Sequence, residues 1–234
     1  MLSSIPELDG FTVIIAGQLN PAIFHPSWMV SRNLISAAEE ELIAIQMVSP
    51  DIAAMTFKLT SDDPAGLRLV VEPEKLTLST DDVLQLPKAL DLLKNLLQVL
   101  HHTPISAIST IRHQHYRIDT LEEWHRFGHR LAPKEGLWDE EMSSPGLRTL
   151  RIESPVEDLG ATLVVTVEPS QKIQVGQGVY LSAHLLFMIS DTPAQEPFST
   201  AQRAAEKLVA GWDYAHMITQ RFAQKFSSIG SHEI

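Results

Sequence analysis

One twelve-residue segment occurs twice in this chain, and a repeat of that kind restricts the architecture before any single motif is considered. Asp62-Asp63-Pro64-Ala65-Gly66-Leu67-Arg68-Leu69-Val70-Val71-Glu72-Pro73 returns 96 residues later as Asp158-Leu159-Gly160-Ala161-Thr162-Leu163-Val164-Val165-Thr166-Val167-Glu168-Pro169, with six of the twelve positions identical. Each copy reads as a turn that runs into a β-strand closed by Glu-Pro. The same offset lays Gln18 on Gln114 and Trp28 on Trp124. The reading is two copies of one unit, residues 1–104 and 105–234. No Gly- or Ser-rich linker separates them, so the two units are expected to share one continuous core.

Periodicity fills in the units. The β-branched run Phe11-Thr12-Val13-Ile14-Ile15-Ala16 predicts a buried strand, and Ser27 reads as the N-cap of a helix over 28–42. Strands follow at 52–59, 67–72 and 75–79, with Pro73 and Pro169 expected at a bulge or a sheet edge because proline donates no ladder hydrogen bond. Leu86, Leu90, Leu93, Leu97 and Leu100 are spaced by four, three, four and three, which predicts a helix over 86–101 lying across a sheet. The second unit repeats the order: a strand at 105–118, a helix at 120–131, strands at 147–153, 161–168 and 178–190, and a closing helix over 199–226. The expected fold class is therefore α+β: pseudo-duplicated β-α-β-β-(β)-α units forming an antiparallel sheet backed by two long helices. The order of elements is similar to that of saddle-shaped proteins built like the TATA-binding protein, and to the helix-backed sheet of the export chaperone SecB.

Composition excludes some chemistry. The chain has no cysteine, which removes disulfides, thiolate ligands and a cysteine nucleophile. A net charge of −11 opposes polyanions, although Arg112, Arg117, Arg126, Arg130 and Lys134 gather within 23 residues, so a nucleic-acid-binding saddle stands as a third reading. No stretch approaches the length of a membrane span, and the start of the chain lacks a basic region followed by an apolar run; a cytoplasmic protein is expected.

Four imidazoles form the densest chemical grouping. His113 and His115 share one face of a strand, and His125 and His129, four apart, share one face of the helix after it. If those two faces met, the four could hold zinc, or three could hold it with a position open for water, as in a metal-dependent hydrolase. Taken separately, they are a strand pair and two helix-surface residues. Trp28 and Trp124 begin equivalent helices and read either as packing plugs or, with Phe24 in the Asn20–Trp28 loop, as a surface for a protein partner. The acidic runs Glu39-Glu40-Glu41 and Asp139-Glu140-Glu141 read as solvated faces, and Gly176-Gln177-Gly178 as a turn. The nucleophile elbow, the P-loop and the HExxH zinc motif are all missing.

The segments Asn20-Pro21-Ala22-Ile23-Phe24-His25-Pro26-Ser27-Trp28, His102-Thr103-Pro104, His113-Gln114-His115-Tyr116, Glu123-Trp124-His125 through Leu131-Ala132-Pro133-Lys134, and Val167-Glu168-Pro169-Ser170 resemble a group of uncharacterised bacterial proteins of similar length. The resemblance spans most of the chain. It implies a bacterial cytosolic protein and supplies no activity. The expectation is a non-enzymatic binding or assembly subunit of a multi-protein system, such as a defence system, that meets a protein partner through its sheet face or its Trp-bearing loops, or associates with a second copy of itself. The hydrolase with zinc and the nucleic-acid saddle are the alternatives.

Overall fold

The computed structural model describes residues 5–58, 60, 66–136, 138–174, 177–189 and 199–229. Asp62–Ala65 of the first repeat copy and Gly176 of the 176–178 turn lie outside the described residues. The strands are β1 (Leu8–Gly17), β2 (Ile43–Val48), β3 (Ala53–Phe57), β4 (Leu67–Glu72), β5 (Lys75–Thr80), β6 (Ile105–Ile118), β7 (Leu150–Val156), β8 (Ala161–Pro169) and β9 (Gln177–Met188). The helices are α1 (Pro26–Ser31), α2 (Ala37–Glu40), α3 (Leu86–Val99), α4 (Leu121–Leu131) and α5 (Thr200–Ile229).

All nine strands join one antiparallel sheet in the order β2-β3-β4-β5-β1-β6-β9-β8-β7. The α+β class read from the sequence holds. The first five strands lie on one side of the β1–β6 pairing and the last four on the other. Val71 and Val167, aligned by the repeat, sit on β4 and β8, each inside the sheet, and each is buried.

Alternation sorts the sheet into two faces. Val13, Ile15, Leu69, Val71, Leu76, Leu78, Ile108, Leu181, Leu185 and Phe187 point to one side and, with Leu93 and Leu97 of α3 and Ala204, Leu208 and Ala215 of α5, form the core cluster. α5 packs across β6 and β9 and against α3. Gly211 lets it come close: a Cβ there would lie 2.7 Å from both Phe187 Cε2 and Thr110 Oγ1. The Ile105 amide donates to Thr200 Oγ1 at 2.9 Å, which docks the start of α5 on the start of β6. Ala54 and Val164 are buried but face away from the helices and take no part in that cluster.

Two details depart from the sequence reading. The helix expected over 28–42 is broken into α1 and α2, because Asn33 adopts a left-handed conformation with φ 55° and Ser36 starts a new helix through a reciprocal capping box with Glu39. The chain then enters a strand, β2, that periodicity alone did not single out. Pro73 and Pro169 are neither at a sheet edge nor in a bulge: Pro73 occupies the tight turn between β4 and β5, and Pro169 is the last residue of β8, paired with Val179. A turn or a strand end meets the same need, since neither position requires an amide proton.

Candidate functional site

The helix-free face carries a polar cluster where the ends of five strands converge. β6 contributes His113 and His115, on the same face as the alternation required. The register sets Gly10 of β1 opposite His113 and Tyr180 of β9 opposite His115. Asp81 follows the end of β5, and Ser170 and Lys172 follow the end of β8. The turn after β8 folds over β9 at Gly178, where a Cβ would lie 2.7 Å from Ile173 Cβ and 2.8 Å from Ser170 Cβ. That turn explains how His113 and His115 are only 9% and 3% exposed on a face with no described helix over it.

Two linked pairs make up the cluster. His113 Nε2 lies 2.8 Å from Asp81 Oδ1, and the Lys172 ammonium donates to Asp81 Oδ2. The hydrogen bond from His113, reinforced by Lys172, holds the Asp81 carboxyl far below the usual carboxylate range. In the second pair, Ser170 Oγ accepts from the backbone amides of Lys172 and Ile173, each at 3.2 Å, and lies 2.7 Å from His115 Nδ1. With two donors already directed at its oxygen, the hydroxyl gives its proton to Nδ1, so His115 carries its own proton on Nε2. That nitrogen is buried and has no hydrogen-bond partner among the described residues. Burial, aided by the Lys172 charge, pushes His115 down to about 4. The Tyr180 ring lies 5.1 Å from that of His115, and burial raises the Tyr180 phenol.

A serine, two histidines and an aspartate within one cluster invite comparison with a hydrolytic relay, but the connectivity is different. Ser170 and Asp81 are held by different imidazoles whose ring centroids are 6.1 Å apart and nearly perpendicular. A nucleophilic serine needs a neighbouring base poised near neutral pH, and a histidine at about 4 is a weak one. The arrangement instead locks the 170–173 turn onto the sheet and leaves an uncharged imidazole beneath it.

That neutral histidine ties stability to pH. An unfolded histidine takes up its proton near pH 6.5, whereas His115 in the fold resists until about 4. Its contribution is therefore complete above about pH 6.5 and is lost as the pH falls from there toward 4. His184, lowered by burial and then by Arg151, adds to the same trend. Urea unfolding is expected to show a loss on the order of 2 kcal/mol between about pH 7 and pH 4.5, with a clearly smaller loss in His115→Gln. An equal loss in that variant would assign the effect elsewhere.

The other sequence-selected residues lie apart from this cluster. His125 is exposed on α4, and His129 Nε2 lies 2.6 Å from Glu135 Oε1. α4 packs on the helix-bearing side, where Phe127 meets Phe226 of α5 edge-on. His113 and His115 point to the opposite side of the sheet, so the four imidazoles do not converge. No group of three or more His, Cys, Asp or Glu side chains among the described residues is placed to hold a metal ion. Phe24 is 0% exposed and belongs to the core, which corrects its assignment to a partner surface. The Trp28 ring lies tilted against it, with ring centroids 5.4 Å apart, and Trp28 and Trp124 both pack partly buried against the core. Asp81, Ser170 and Lys172 had no sequence signal that linked them to the histidines.

No helix among the described residues is long and apolar enough to cross a membrane. No family model matches the chain, and no curated protein matches it. Among solved structures, the chain is similar to the di-domain ARO/CYC BexL from the BE-7585A biosynthetic pathway, at 12% identity over 79% of this chain and 78% of that one, with a TM-score of 0.25. A likeness of that size carries no argument about fold or function.

Proposed function

We propose that this chain is a non-enzymatic binding subunit of a bacterial multi-protein assembly and that it presents the helix-free face of its sheet to a protein partner. The observation that carries the reading is the composition of that face. Across the four central strands, Thr77 and Ser79 of β5, Thr12 and Ile14 of β1, Ile111 of β6, and the neutral His184 and Leu186 of β9 form an uncharged field, with Ser109 and Ser182 buried among them and no described helix over it. Charges lie outside that field: Asp81 pairs with Lys172, Arg117 with Glu7 and Glu72 with Lys75, while Arg68 sits beside Ser79 on β4 and Arg151 stands on the β7 edge. An uncharged centre inside a polar rim is the usual anatomy of a protein–protein interface. Phosphate recognition asks for the reverse, a field of cations free to replace counterions. The two units of the internal repeat would each supply half of this platform, joined along β1 and β6.

A photo-crosslinking residue at position 111 should capture a partner when the chain is isolated from its native cells, and one at position 84, exposed on the helix-bearing side, should not. The double variant Ile14→Glu/Ile111→Glu should keep its circular dichroism spectrum and lose the captured protein. Equal capture from both positions, or capture that survives the double variant, would rule the sheet face out.

A further inference from the structure

The two edges of the sheet are built differently. β7 carries Arg151, Glu153 and Pro155 within its seven residues: two charges and a residue without an amide proton, the devices that stop a sheet edge from recruiting another strand. β2 is Ile43-Ala44-Ile45-Gln46-Met47-Val48, with neither a charge nor a proline. Its Ile45, Met47 and Val48 side chains are 50%, 53% and 37% exposed. The irregularity it does carry is a bulge between Ile45 and Met47, where the Gln46 amide turns to donate to Thr56 Oγ1 at 3.0 Å. No described strand pairs with its outer side. An apolar edge of this length is a template for main-chain pairing, and a protein that leaves one open needs an occupant for it.

The charges around β2 say what kind of occupant fits. Glu39, Glu40 and Glu41 precede the strand and Asp51 follows it, and no Lys, Arg or His occurs between Arg32 and Lys58. Glu39 is engaged by Lys88 at 2.9 Å, while Glu41 and Asp51 are exposed at the two ends of the edge. An antiparallel pairing of β2 with β2 of a second copy would bring the Glu41 end of each strand toward the Asp51 end of the other, like charge against like charge. A strand with basic ends meets no such opposition. We propose that β2 docks an extended segment of another protein, apolar at alternate positions and flanked by lysine or arginine, which adds to the sheet as a tenth strand. This surface is separate from the helix-free face, so the two can be tested independently.

The test selects ten-residue peptides from a random display library on the full chain at low salt, then measures a synthetic copy of an enriched peptide by fluorescence anisotropy. Enriched sequences should alternate apolar residues between basic ends. The peptide should bind about tenfold more weakly to Ile45→Lys/Met47→Lys, and about tenfold more weakly when alternate backbone amides are N-methylated, because main-chain hydrogen bonds supply the affinity in strand addition. Its affinity for Ile14→Glu/Ile111→Glu should be unchanged. The proposal is overturned by absence of enrichment, by binders without basic ends, or by binders indifferent to the lysine substitutions. A wild-type dimer that Ile45→Lys dissociates in sedimentation would overturn it in favour of a second copy as the occupant.

Discussion

Arg112→Ala is expected to lower the unfolding free energy by about 3–5 kcal/mol, the cost of leaving the other member of a buried ion pair without its partner. Arg112 lies on the helix-bearing face of β6, between the sheet and α5, and its side chain is 4% exposed. Its Nη2 donates to Asp9 Oδ2 at 2.5 Å, across the β1–β6 pairing at the middle of the sheet. Nearby, Tyr116 gives its hydroxyl proton to Gln114 at 2.6 Å, and the Phe11 ring lies 3.8 Å from that of Trp212. Truncation leaves the Asp9 carboxylate facing that packed layer without its partner. Urea titrations of the single variants and of Asp9→Leu/Arg112→Met separate the pair's net value from the cost of breaking it. The double variant should recover most of the loss, since replacing both charges with apolar groups of similar volume is often neutral or better. A double variant as unstable as Arg112→Ala would mean that the pair specifies the junction in a way that packing alone cannot.

The second large effect is expected at Gly10. A Cβ there would lie 2.3 Å from His113 Nε2, 2.6 Å from the Thr80 carbonyl oxygen and 2.8 Å from Asp81 Oδ1. The imidazole could swing away, but the Thr80 oxygen belongs to the β5 backbone and has little freedom to retreat. Gly10→Ala should therefore cost about 2–3 kcal/mol through overpacking. It should also dismantle the His113–Asp81 hydrogen bond, so the Asp81 carboxyl should rise toward the ordinary range when followed by carbon-detected NMR. A variant with wild-type stability and a still-depressed Asp81 would show that β1 and β5 can part without loss.

Those two positions illustrate what could be read from the residues and what could not. Alternation along Ile105–Ile118 put His113 and His115 on one face, and the leucine spacing along α3 placed that helix against the sheet. Both signals are local, with periods of two and about four. The partners of the histidines are not local. Asp81 is 32 residues from His113, Ser170 is 55 from His115, and Lys172 reaches Asp81 across 91 residues. They meet because β5, β1, β6 and β9 lie side by side in one particular register, which no periodicity encodes. The break between α1 and α2 was within reach: Ser36 and Glu39 have the spacing of a capping box, and Ile43, Ile45 and Met47 alternate. The apolar spacing from Trp28 to Leu42 concealed both, because it satisfies a helical template across the left-handed turn at Asn33. The four-imidazole reading failed on a different point, since it required α4 to return to the face of β6 that carries His113. α4 goes to the other side, where Phe127 finds Phe226 and the apolar core.

The position of β1 has a consequence for synthesis on the ribosome. It precedes the other eight described strands in the chain, yet its neighbours in the sheet are β5, which ends at Thr80, and β6, where Leu8 is matched with His115. At about 5–20 residues per second, the nascent chain carries Phe11, Val13 and Ile15 unpaired for several seconds before one flank is made, and for longer before the second arrives. A sticky segment that must wait for more than a hundred later residues is a natural client for holdase chaperones, and the yield of folded product is expected to respond to translation speed through residues 80–118.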